Sequence, residues 1–257
     1  MIQQNYSIEA LPLEELRRIG LVKDGRFNVS KDIQEALLAG RRTELLRFEN
    51  IETENYKIPV LDAKVSIQPD KEGKLHLLLH PIYKESTYPS YLTERDAEDL
   101  QSGQTSSVLK MIKDGDQEKV VMVEFDAETR EFVVTDTNKI IVPELVNNEK
   151  LTASQKEQYR MGKEVELKDD TVFQYSAVEK QSIRSNMLAL VASLLVDGGL
   201  TYALFTGLNY LFNSNPDARG RAKQSEGYKQ ALNDMNEAKN QYAIPKVHEN
   251  VGRSRTR

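Results

Sequence analysis

The strongest constraint on how this chain folds is one 26-residue stretch, Met187 to Phe212, reading MLALVASLLVDGGLTYALFTGLNYLF, in which Asp197 is the only charge. Leaving its dozen large apolar side chains in water forfeits roughly 1.5–3 kcal/mol for each. They must be buried in lipid, in the protein's own core or against another copy. A spanning helix needs about 20 apolar residues at 1.5 Å rise, and the run is long enough. An aspartate at mid-bilayer costs roughly 3 kcal/mol, which Leu195 and its apolar neighbours outweigh. Asp197-Gly198-Gly199 also divides the run into two arms, each too short to span. A helical hairpin, embedded or re-entrant, is therefore the second reading, and a pair of short helices in a soluble core or an oligomer is the third. The polar Gln181-Ser182 before the run and the Asn213–Asp217 breaker after it isolate it as a unit. The expectation is a membrane segment, with the preceding body facing the cytoplasm of a bacterial inner membrane; the alternative is a cytoplasmic protein.

Charge is divided unevenly. Residues 1–212 carry a net −9 and residues 213–257 a net +4, which together make the −5 of the chain. An acidic body argues against nucleic-acid binding by the domain as a whole, since phosphate neutralisation dominates that affinity. The basic tail is left as a weak contact for anionic lipid or nucleic acid. There is no cysteine, which excludes disulfides, thiolate metal sites and cysteine nucleophiles. The N-terminus, MIQQNYSIEALPLEELRRIG, lacks the basic and apolar regions of a signal peptide.

The polar body is organised by a threefold repeat. Val29-Ser30, Leu92-Thr93 and Leu151-Thr152 are each followed, at +8 from the first residue, by Leu37, Leu100 and Tyr159, and at +11 by Gly40, Gly103 and Gly162. The hydroxyl residue caps a short helix, the apolar residue before it acts as a staple, and the glycine ends the helix in the left-handed region. Strand-like sequence follows each glycine: 43–48, 107–112 and 164–167. Further strands are expected at 58–67, 75–80, 120–125, 131–134 and 172–175, with turns at 69–73, 113–116 and 126–130. The fold class is α+β, short capped helices alternating with antiparallel hairpins. The expected divisions are 1–147, a third helix–strand unit at 148–180, the apolar segment 187–212, and a basic tail at 213–257 that is helical over 222–242 and disordered at its end, Gly252–Arg257.

No chemistry is spelled out by local motifs. His76 and His80 have a helical zinc spacing, but LHLLLHP reads as a strand. Four residues along a strand separate side chains by roughly 13 Å, too far for one ion, so both histidines are read as structural or solvated. Asp114/Asp116 and Asp169-Asp170 sit beside turns without calcium-loop spacing. Arg17-Arg18 and Arg41-Arg42 are read as helix-end charges. No phosphate loop, nucleophile elbow or triad pattern is found. No catalytic, cofactor or metal residue is assigned, and no small-molecule substrate.

Two stretches carry a resemblance. Leu61 to Ile67 (LDAKVSI), followed by Leu77 to Glu85 (LLLHPIYKE), resembles an uncharacterised domain family common in conjugative-transposon and other mobile-element proteins of gut Bacteroidetes. Leu151 to Lys156 (LTASQK), continuing to Gly162–Leu167 (GKEVEL), resembles a second family often fused to the first. Together they span roughly 10–178, and neither implies an activity or a catalytic residue. The expected function is a non-enzymatic, membrane-associated interaction module of a mobile element or phage, acting on a protein partner. The alternatives are a membrane-active toxin or its immunity protein, and an enzyme built on scattered carboxylates.

Overall fold

A computed structural model describes residues 6–52, 57–115, 117–186, 189–196, 199–206 and 225–241. It is an α+β fold of antiparallel sheets and few helices. Three units follow one another, each built from a capped helix and a three-stranded meander. The first has α1 (Leu13–Arg18), a tight hairpin of β1 (Val22–Lys23) and β2 (Arg26–Phe27), α2 (Lys31–Leu38), and the meander β3 (Leu46–Glu52), β4 (Lys57–Pro69) and β5 (Leu75–Pro81). The second has α3 (Glu94–Ser102) and β6 (Val108–Asp114), β7 (Gln117–Asp126) and β8 (Glu131–Asp136). The third begins with the hairpin β9 (Leu145–Val146) and β10 (Glu149–Lys150), then α4 (Ala153–Arg160), then β11 (Val165–Glu166), β12 (Val172–Tyr175) and β13 (Ile183–Ser185).

The repeat residues take the roles their chemistry dictates. Ser30, Thr93 and Thr152 each accept the backbone N–H three residues on, and Asp96 and Gln155 reach back to complete capping boxes. Gly40, Gly103 and Gly162 have φ of 68°, 74° and 64°. Their N–H groups donate to the carbonyls of Leu37, Leu100 and Tyr159, the +8 residues, all three of them buried. In α2 and α4 the next residue closes the longer bond as well, Arg41 to Ala36 and Lys163 to Gln158, giving Schellman motifs. The sequence reading missed the β1–β2 and β9–β10 hairpins. Their two-residue turns, Asp24-Gly25 and Asn147-Asn148, have φ > 0 throughout, as a type I′ turn requires.

The central strands of the first two meanders are buried on both faces over their middle residues. Ala63, Val65 and Ile67 of β4 pack beneath Leu16, Leu37 and Leu38. On β7, Val121 and Val123 pack against Leu92, Ala97 and Leu100 around α3. The opposite faces of these two strands, Lys64 and Ser66 on β4 and Met122 and Glu124 on β7, are also buried. What buries them is a neighbouring unit.

The apolar run forms strands where helices were expected. Residues 189–196 and 199–206 are β14 (Ala189–Val196) and β15 (Gly199–Thr206), paired antiparallel over their whole length from Ala189↔Thr206 to Val196↔Gly199. β14 also pairs with β9, so the sheet runs β10-β9-β14-β15. Leu190, Ala192, Ala203 and Phe205 enter the core of the third unit. Val191, Tyr202 and Leu204 face α5 (Glu226–Gln241) through Tyr228, Ala231 and Met235. A strand buried on both faces reads as a continuous apolar run rather than an alternating one, which is why its composition resembles a membrane segment. Among the described residues no helix is long and apolar enough to cross a membrane. The burial that the run demands is supplied, for its described side chains, by protein. Met187, Asp197, Gly198 and Phe212 lie outside the described residues, as do the 213–217 breaker and the 252–257 end.

Candidate functional site

Where the units meet, the seams are polar. The β7–β8 turn of the second unit sits on the polar face of the first sheet. That face presents Lys64 and Ser66 from β4 and His80 from β5, with Lys64 and His80 directly opposite in register. Lys64 Nζ reaches Asp126 Oδ2 and Glu128 Oε2, both at 2.8 Å. Asp126 Oδ1 accepts the backbone N–H groups of Glu128 and Thr129, so the turn that carries Asp126 is braced by it. Glu131, the first residue of β8, accepts from Arg42 at 2.7 Å and lies 3.2 Å from His80 Nδ1. Burial raises the Glu131 carboxyl, but the bonds to His80 and Arg42 outweigh it and leave it lowered to about 2. A buried ion pair roughly cancels its own desolvation cost, whereas losing one partner costs about 3–5 kcal/mol. This seam therefore fixes how the two sheets dock more than it adds stability.

Ser66 Oγ is 2.9 Å from His80 Nε2, and His80 Nδ1 is 3.2 Å from Glu131 Oε2. These atoms stand in the order of a serine-hydrolase relay. The surroundings do not match that chemistry. Ser66 is 1 % exposed and sits inside the β4–β5 ladder opposite Leu78, so a substrate carbonyl has no approach to Oγ in this arrangement. The described cavities lie elsewhere. One of about 610 Å³ opens beside Arg17, Gly20 and the β1–β2 turn, and one of about 420 Å³ lies beside Lys150, Thr152 and Glu166. The buried carboxylates line neither.

The seam between the second and third units is built on Glu124 of β7. Its carboxylate accepts from Ser176 Oγ and from the Ala177 N–H, each at 2.6 Å. Burial pushes this carboxyl up to about 7 against those two bonds. Beside it, burial pushes the Tyr175 hydroxyl up to about 12. Met122 packs against Gly162, where a Cβ would come within 2.2 Å of its Sδ. The third unit also returns to the first: Arg41 donates to the Lys180 carbonyl, and Lys180 Nζ pairs with Asp32 and Glu44 at 3.1 Å.

The sequence reading is corrected at several of these positions. Arg17 and Arg18 do close α1, but Arg42 is no helix-end charge; it points into the seam at Glu131 and Asp126. Asp169 is not a solvated loop charge. It holds the Thr171 N–H and the Asn147 amide, and its lowered carboxyl pKa reflects burial outweighed by bonds that include Ser225 ahead of α5. His76 and His80 lie on a strand as expected and serve different partners: His76 meets Glu15 and Asp70, His80 meets Ser66 and Glu131. Among the described residues no cluster of three metal-ligating side chains forms. Ser66, His80 and Glu131 share no local motif: the β4–β5 pairing brings Ser66 to His80, and the docking of the β7–β8 turn adds Glu131.

Outside the seams one stretch is unusual. Leu78, Leu79, Ile82, Tyr83 and Tyr88 are 37–43 % exposed, five large apolar side chains within eleven residues. The segment is nonetheless anchored. The Tyr83 N–H donates to Thr129 O, Arg130 donates to the Lys84 carbonyl, and Tyr88 meets Phe132 edge-on at 6.0 Å.

Residues 6–91 match the family model described as a protein of unknown function (DUF4099). The matched segment holds the first unit and the exposed apolar stretch. It contains the first of the two sequence resemblances and ends before the second. No curated protein and no solved structure matches the chain.

Proposed function

We propose that the chain is a non-catalytic interaction module, an accessory or adaptor protein that docks a protein partner on the apolar ledge from Leu78 to Tyr88. The observation that carries this reading is the clustering of exposed apolar side chains on an anchored segment. Isolated exposed apolar residues are ordinary, whereas a group of them marks an interaction surface. Leu78 and Leu79 are successive residues of β5 and face opposite sides of the sheet, so the reading rests chiefly on Ile82, Tyr83 and Tyr88. Holding the segment to Thr129 and Phe132 lowers the ordering cost of binding. β5 does not favour strand addition at this edge: Glu15 already accepts the Leu77 N–H, and Pro81 has none to offer. The partner therefore presents an apolar face, such as an amphipathic helix, rather than a bare strand. The setting we propose, from the sequence resemblance alone, is a bacterial mobile element or phage. The toxin alternative rested on the apolar run as a membrane segment, and that run's described side chains are engaged within the protein.

The test compares the wild-type chain with an Ile82→Lys/Tyr83→Ser variant, both positions being exposed. Both proteins should show the same circular dichroism and melting temperature. In-cell cross-linking in the native host should give a defined heteromeric product with the wild type that the variant loses. If the product persists in the variant, the ledge is not the docking surface. If sedimentation instead shows a ledge-dependent homodimer, the adaptor reading fails.

A further inference from the structure

Glu124 spans the seam between β7 and the third unit, and it is 2 % exposed. Its two donors, Ser176 Oγ and the Ala177 N–H, both come from the loop after β12. The cation of this cluster is Arg184 on β13. Its Nε and Nη2 both lie 3.3 Å from Glu179 Oε1, and Nη2 also lies 3.4 Å from Ser176 Oγ. The guanidinium thus bonds Glu179 directly and meets the Ser176 hydroxyl that donates to Glu124, and its charge also acts on Glu124. From β12 Tyr175 faces Glu124, with its own hydroxyl bonded to Thr135 of β8 and with Arg41 nearby. Behind Glu179 stand Lys64 and Glu128, which are already paired with each other. Two carboxylates share one guanidinium in a buried seam, and for Glu124 burial favours the neutral form more than its two accepted bonds and Arg184 favour the ionised one.

We propose that this seam is a proton-dependent latch: Glu124 fastens the second unit to the third when it carries a proton, and the fastening weakens when it cannot keep one. The sign follows from linkage. With the latch closed, burial holds the carboxyl up to about 7, against an ordinary value of 4.5. Between those two values opening releases a proton, so the open fraction rises about tenfold per pH unit, or a few hundredfold in all. The latch is tightest below about pH 4.5 and weakens up to about pH 7. Above that it changes no further, because both forms are ionised.

Hydrogen exchange on the full chain at pH 5 and pH 8, corrected for the intrinsic pH dependence of amide exchange, reads this directly. Peptides covering 119–126 and 172–186 should lose protection by ten- to a hundredfold at pH 8, with α2 as the unaffected control. Glu124→Gln, which cannot ionise, should abolish that loss. Equal protection at the two pH values, or the same loss in Glu124→Gln, overturns the proposal. If Glu124→Gln does not fold, Glu179→Gln decides. It removes the competing carboxylate, turns Arg184 toward Glu124 and should shrink the loss severalfold; an unchanged loss overturns the proposal.

Discussion

Gly40, Gly103 and Gly162 share one backbone conformation and three different surroundings, so alanine at each separates conformational strain from packing. The left-handed region costs a non-glycine residue about 1 kcal/mol. At Gly103 nothing lies within 4 Å of an added Cβ, so that strain is the whole expected cost. At Gly40 the Cβ meets Tyr6 Cε2 at 3.1 Å. Tyr6 is only half-buried and gives way at a few tenths of a kcal/mol, making about 1.5 kcal/mol in total. At Gly162 the Cβ falls 2.2 Å from Met122 Sδ, and Met122 is buried between the second sheet and the third unit. Overpacking such a seam adds about 1–3 kcal/mol, bringing the total to about 3 kcal/mol. The assay is urea unfolding of the three single variants, with unchanged m-values as the check on compactness. Met122→Ala supplies the cycle: in its background Gly162→Ala should cost only the strain, a coupling of about 2 kcal/mol. Three equal costs, or a cycle with no coupling, would refute the claim that the third unit approaches β7 too closely for a side chain at 162.

The lowered Glu131 carboxyl predicts an acid limb. A folded-state value near 2 contributes stability that is present above about pH 4.5 and is lost as pH falls toward 2. Glu131→Gln should therefore flatten the stability–pH curve over that interval while leaving its neutral-to-alkaline side in shape, and a curve of unchanged slope counts against the Arg42–Glu131–His80 contact. Gly227→Ala should loosen α5 although alanine is the better helix former by about 1 kcal/mol, because the added Cβ lies 2.5 Å from the Asn147 carbonyl oxygen. Faster proteolysis within 225–241 is the expected readout, and equal or slower cleavage would show that the Asn147 turn yields.

What the sequence determined by itself is whatever has its cause within a dozen residues. The hydroxyl at each cap, the apolar residue eight positions after the staple and the glycine that ends the helix interact through bonds internal to one helical turn or its end. Spacing alone therefore specified them. The meander turns at 69–73 and 126–130 were legible for the same reason, and so was the apolar face of α5 through Tyr228, Leu232 and Met235. Tertiary structure decided the rest. The apolar run contains Asp197-Gly198 between two eight-residue arms, the second of them carrying Thr201, Tyr202, Phe205 and Thr206, which is a hairpin signal. Whether those arms become helices or strands depends on β9 pairing with one of them and on α5 covering the other face. The seam residues were equally hidden. Lys64 and Asp126 are 62 positions apart in sequence, Ser66 and His80 14, His80 and Glu131 51, and Glu124 and Ser176 52. Each is an unremarkable polar residue of a strand or turn until a second unit removes water from around it. Burial converts such a residue into a group that must find a partner, and no local pattern records which partner the packing of the units will bring.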